Sequence, residues 1–228
     1  MDITLQPNGA FHSALVHLAP GDLFKSDSGA MFRASSNVDN DVTTISRGGG
    51  LLAGLKRLAG GDTFFLSTFQ TTDGRAGEVG VAPTLQGHLE QVDVQADQPW
   101  LCAGGSFLGC DGHMDLTPRF QGLKGFFSGE NLFFMEVSGT GPLLVGAYGS
   151  ISEVLVDGEL IVDTGHVVAF ESSLSYTLSK TGGSWLTSFL AGEGFVLHFA
   201  GQGRLLVQSH NPREFGALIG RRLPPRRQ

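Results

Sequence analysis

At 228 residues, with 41% hydrophobic and 16% charged side chains, the chain has ample apolar material for a core and is poor in charge against the ~25% of a typical domain. That excludes disorder, and 34 glycines without a three-residue period exclude collagen and argue against a helical bundle. Net charge is −7, and four of the fifteen basic residues (Arg221, Arg222, Arg226, Arg227) lie in the last eight positions; the body before them sets eleven basic against twenty-two acidic residues, −11, which repels phosphate backbones and argues against nucleic acid as a partner.

In chain order, Met1 to Pro20 carries Asp2 and no Lys or Arg, so it reads as neither a signal nor a transit peptide. Leu51, Leu55 and Leu58 have helical spacing over two turns, behind Gly48-Gly49-Gly50. Cys102 and Cys110 match no metal knuckle or redox pair and read as buried thiols in a reducing compartment. Three hairpins are predicted. Leu132 to Val137 turns at Gly139-Thr140-Gly141-Pro142 and returns through Leu143 to Val145. Glu153 to Val156 turns at Asp157-Gly158 and returns through Glu159 to Asp163. Phe195 to Phe199 turns at Gly201-Gln202-Gly203 and returns through Leu205 to Val207. Asn211 then caps a short helix with Pro212 at its first position and Phe215, Leu218 and Ile219 on one face. The uncharged run Val137 to Ser152, which also lacks histidine, is sixteen residues with four glycines and a proline, so it cannot span a bilayer as a regular helix.

The chain repeats itself. Gly61-Asp62, Gly129-Glu130 and Gly192-Glu193 each lead into an apolar triplet, and an earlier glycine recurs at Gly29, Gly105 and Gly165. Two anchors in the same order, three times, read as three copies of a β unit too small to bury a good core alone. The Gly-acid pairs read as turns, with glycine at positive φ and the carboxylate capping nearby amides. The expected fold is all-β, three tandem units with a short C-terminal helix: 1–96, 97–157 and 158–220, followed by a basic tail at 221–228.

The order of Leu51 to Leu58 with Gly60 to Leu66, Cys102 to Phe107, Asp157 to His166, Gly192-Glu193-Gly194 and Val207 to Asn211 resembles the AIM24 family, over most of residues 20 to 220. The resemblance implies three fused copies of the β-sandwich module of the tryptophan RNA-binding attenuation protein. It further implies a pseudo-threefold monomer whose trimer would be a ring of nine modules, and it supplies no catalytic residues.

Asp111, His113 and Asp115 are the most ligand-like cluster, since on one strand they would share a face and could hold a divalent metal. The competing reading is a polar loop around Gly112. His166 and His198 fall in strand-like segments that could meet, but they read first as partly buried, hydrogen-bonded histidines. Gly104-Gly105-Ser106-Phe107 lacks the second glycine of a nucleophile elbow, and no phosphate-loop motif is present. RNA stacking would need basic residues beside exposed aromatics, but Lys56, Arg57 and Lys124 are the only basic points near the aromatic runs, the matching third position is not basic, and the phenylalanines read as core. The sequence therefore reads as a cytoplasmic, non-enzymatic, oligomeric binding or scaffold protein, trimer favoured. No catalytic, metal or cofactor site is assigned and no ligand is named. The alternatives are a metal-dependent enzyme using Asp111, His113 and Asp115, and an RNA-binding ring by analogy of fold.

Overall fold

The computed structural model describes residues 1–46, 63–121, 132–180 and 195–224. Its strands are β1 (Asp2–Gln6), β2 (Ser13–Leu18), β3 (Phe24–Asp27), β4 (Met31–Ala34), β5 (Val38–Ser46), β6 (Thr63–Thr71), β7 (Gly77–Val81), β8 (Leu89–Val94) and β9 (Trp100–Ala103). There follow β10 (Phe107–Asp111), β11 (Asp115–Gln121), β12 (Leu132–Ser138), β13 (Gly141–Gly146), β14 (Ile151–Asp163), β15 (Val167–Glu171), β16 (Ser175–Lys180) and β17 (Phe195–Gln208). A helix, α1 (Pro212–Gly220), comes after β17, so the fold is all-β with a C-terminal helix. The helical reading of 51–58 and the three Gly-acid pairs lie outside the described residues.

One sheet has the order β1-β2-β7-β4, a second β5-β6-β3-β10-β13-β8, and a third β11-β12-β9-β15-β17-β14 with β16 also on β17. One pairing pattern occurs three times. β7 lies between β2 and β4, β13 between β8 and β10, and β17 between β14 and β15. The register slips at the same place each time, between Met31 and Arg33, Phe107 and Gly109, and Val167 and Ala169. A second pattern also recurs: β6 between β5 and β3, β12 between β11 and β9, and the first half of β17 between β16 and the second half of β14.

None of the three predicted hairpins forms. β14 and β17 are continuous strands, paired along their length from Ile151↔Gln208 to Asp163↔Val196. Gly158 and Gly201 face each other in that ladder with φ of 107° and 121°. Asp157-Gly158 and Gly201-Gln202-Gly203 therefore mark an irregular step in a two-stranded ribbon instead of a chain reversal. Positive φ suits glycine in either setting, so the dipeptide alone does not separate them. β12 and β13 are separate strands in different sheets; Gly139 and Gly141 turn the chain from one sheet to the other. The unit boundary expected at 157/158 falls inside β14.

The interior follows the alternation of the strands. One apolar cluster joins Phe24, Phe69, Val79 and Val81 to Leu89, Leu108 and Leu144. A second gathers Trp100, Cys102, Cys110, Met135, Leu143 and Leu206. A third sets Leu101 and Phe134 against Phe170, Leu197 and Phe199, with Phe134 and Phe199 both edge-on to Phe170 at 5.2 and 5.0 Å. Such ring pairs add about 0.5–1.5 kcal/mol each beyond area burial. Each cluster draws on strands from successive recurrences of the pattern.

These clusters are joined because β10 lies on the free edge of β3 (Gly109↔Ser26, Cys110↔Lys25) and β15 on that of β9 (Ala169↔Cys102, Phe170↔Leu101). Gly109 permits the first contact: a Cβ there would lie 2.4 Å from the Phe24 ring and 2.8 Å from the Lys25 carbonyl oxygen. Gly109→Val should lower unfolding free energy by about 3 kcal/mol in a denaturant titration. Arg33 holds the matching place on β4, and Arg33→Ala should cost under about 1 kcal/mol.

Candidate functional site

The Asp111, His113 and Asp115 trio does not form a ligand set. Asp111 closes β10, Asp115 opens β11, and the residues between them are a turn, so no strand aligns the three. One Asp111 carboxylate oxygen, Oδ1, accepts the His113 backbone N–H at 2.8 Å and lies 3.0 Å from His113 Nδ1. Among the described residues, no three His, Cys, Asp or Glu side chains come together as a metal site.

The matching positions explain the carboxylate. Ser35, Asp111 and Glu171 each stand at the end of the strand that carries the register slip, and Glu78, Pro142 and Arg204 each come after a glycine at the start of the neighbouring strand or of its second half. Ser35 Oγ accepts the Glu78 N–H at 3.0 Å, and Glu171 Oε2 accepts the Arg204 N–H at 2.8 Å. Proline has no N–H to offer, so Asp111 turns to its own loop. Glu171 is buried, and removing its oxygen would strand a backbone donor away from water.

The other sequence candidates also have structural partners. His166 Nδ1 lies 2.8 Å from the Gln208 carbonyl oxygen, whereas His198 sits exposed at the far end of β17, opposite Ile161 and Thr177. The two do not meet, and His166 is held by a backbone carbonyl, as a structural histidine would be. Gln208 itself is buried, accepting from Tyr148 N and donating to the Gly165 carbonyl. Ser106 is buried in the β9–β10 turn, bounded by Gly105 at φ 87°. Cys102 and Cys110 are free and fully buried in the same cluster. Burial pushes both thiols up, Cys110 to about 12. Lys56, Arg57, Lys124 and Gly48-Gly49-Gly50 lie outside the described residues.

Two unfinished strand edges escaped the reading of the sequence. β10 and β15 are buried by β3 and β9, yet β4, which has the same place in the pattern, is exposed along its length. On the opposite side of the same junction, β3 and β9 are covered by β10 and β15. The second half of β14 has β17 on one side and, among the described residues, no strand on the other, and Ile161 is 59% exposed. The one signal in the sequence was Met31-Phe32, an apolar pair behind Gly29. A cleft of about 510 Å3 also opens between the 103–106 turn and residues 164–165, walled by Phe133 and Tyr148.

A family model described as "Mitochondrial biogenesis AIM24" matches residues 4–210. The chain belongs to the AIM24 family. It is 29% identical over 231 residues to an uncharacterized protein of Streptococcus pyogenes serotype M6, covering 98% of this chain and 92% of that one. It also superposes on an X-ray crystal structure of a Streptococcus pyogenes protein with a TM-score of 0.79 at 27% identity, covering 97% of this chain and 99% of that one. These AIM24-like relatives share the fold and carry no stated activity.

The buried groups give two expected outcomes. Glu171→Ala should cost about 2 kcal/mol in chemical denaturation and Glu171→Gln, which keeps the acceptor, should recover most of it; Asp111→Ala should cost less than Glu171→Ala. A thiol reagent at pH 8 should find no reactive cysteine in the native protein and two after unfolding.

Proposed function

We propose that this AIM24 chain is a non-catalytic, self-assembling binding or scaffold protein built from three copies of one β unit, running over about 13–81, 89–146 and 151–208. Copies join head to tail, the β4 edge of one against the second half of β14 of the next. One observation carries this reading: the chain makes the same junction twice internally, β3 with β10 and β9 with β15, and leaves one unmated edge of each kind among the described residues. Completing it gives the order β16-β17-β14 then β4-β7-β2, the counterpart of β5-β6-β3-β10-β13-β8.

The register can be transferred. Gly141 and Gly203 pair with Val94 and Val156 at matching places, and six residues earlier lie Met135 and Leu197, which pair with Cys102 and Val162. Since Ala169 faces Cys102 and Phe170 faces Leu101, Arg33 would face Val162 and Ala34 would face Ile161 of the next copy. A heterologous contact either closes into a ring or grows without limit. Closure at three chains, nine units, is the assembly we favour. The two free buried thiols suit a reducing, cytoplasmic setting, and the acidic body suits partners other than nucleic acid.

Native mass spectrometry of untagged protein at micromolar concentration should report a three-chain species, and a strictly monomeric mass overturns the reading. Charges placed on the edges, Met31→Lys with Ile161→Lys, should raise the dissociation constant at least about 100-fold while the fold, followed by circular dichroism, is kept.

A further inference from the structure

We propose that helix α1 is a clasp that reaches onto the next copy of this chain and covers its exposed Met31 and Phe32. The clasp rests on the head-to-tail reading and adds a second contact, made by a segment outside the sheets.

The chain leaves β7, β13 and β17 in comparable ways. After β7, Ala82 N donates to the Ala30 carbonyl of its own turn, and Pro83 and Thr84 lie with Gly105, Ser106 and Phe107, which lead into β10. After β13, Gly146 N donates to the Ser106 carbonyl, and Ala147 and Tyr148 lie with Thr164, Gly165 and Val167, which lead into β15. Twice, the segment leaving one unit is laid against the turn that opens the next unit's edge strand. After β17 the segment is α1. Of the three such turns in the repeated pattern, the one still unmatched is that before β4, in another copy.

Both surfaces have the character that contact requires. Phe107, Leu108, Val167 and Val168 are buried, but Met31 and Phe32 at the matching places are 40% and 51% exposed. Helix α1 is well started, since Asn211 Oδ1 accepts from Arg213 N and Glu214 N, and Phe215 rests on the Tyr148 ring at 5.3 Å. Yet α1 buries no residue, and Leu218 and Ile219 are 53% and 41% exposed. A nine-residue helix gains little stability from its own hydrogen bonds and needs tertiary packing of its apolar face. Arg221 and Arg222, directly behind it, add positive charge that an acidic neighbouring body attracts. A second copy supplies the apolar patch, the acidic surface and the repeated geometry together.

The test mixes two variants that each add one exposed cysteine, Met31→Cys and Leu218→Cys, and treats them with a short bismaleimide. The native cysteines are buried and do not compete. The clasp predicts a cross-linked two-chain product in the mixture and none from either variant alone. In parallel, Leu218→Glu with Ile219→Glu should weaken assembly at least ten-fold in sedimentation equilibrium while thermal unfolding of the dissociated chain is unchanged. If the wild type assembles but the mixture gives no cross-link and the charged variant assembles like wild type, the clasp is wrong and edge pairing survives. A monomeric wild type overturns both.

Discussion

The backbone ladder that sets β10 on β3, and again β15 on β9, is the contact on which the rest of the structure depends. Through it Phe24 and Phe69 share a core with Leu108 and Leu144, and Leu101 and Phe134 share one with Phe170 and Phe199. A stretch of some sixty residues buries only about 60% of its surface and is marginal by itself, so joining sheets edge to edge enlarges the core this chain can build. Gly109 shows how tightly the ladder is built, because a single methyl there has no room between the Phe24 ring and the Lys25 carbonyl.

A junction of this kind has a direction. Each internal copy uses one edge of a unit and one opposite edge of its neighbour, so a linear chain of three necessarily ends with one of each unused. Exposed strand edges invite pairing, and proteins usually blunt them. Here the outer edge of β2 is covered by β1, while β8 and the first half of β14, the other outer strands of that kind, carry the exposed charges Glu90, Asp93 and Glu153. The β4 edge carries Met31 and Phe32 with an Arg33–Glu78 ion pair, and β14 presents Ile161. Of the edges that form this junction, β4 and the second half of β14 are the two left without a strand among the described residues.

The polar residues that looked most like chemistry turn out to complete the backbone. Ser35 and Glu171 satisfy the N–H that comes after a glycine, and Asp111 is released from that duty by Pro142. Gln208 ties residues 148 and 165 together through both ends of its amide. These groups stand at or beside the ends of strands, where a buried donor without a partner would be expensive.

Composition, the glycine content and the period-two runs were enough to establish an all-β chain, and Asn211-Pro212 was enough to place the C-terminal helix, because a cap and a first-turn proline act within a few residues of where they are written. The family was legible for the same reason, as an ordered set of local pieces. The reach of the glycines was not. Asp157-Gly158 and Gly201-Gln202-Gly203 require positive φ whether the chain reverses or only steps, and the choice was made by thirteen paired residues on the facing strand. Nor did the spacing of Asp111, His113 and Asp115 reveal that a turn separates them. Which edges are covered, and which two stay open, is decided by contacts between residues some eighty positions apart such as Gly109 and Ser26, and no local pattern encodes a pairing at that distance.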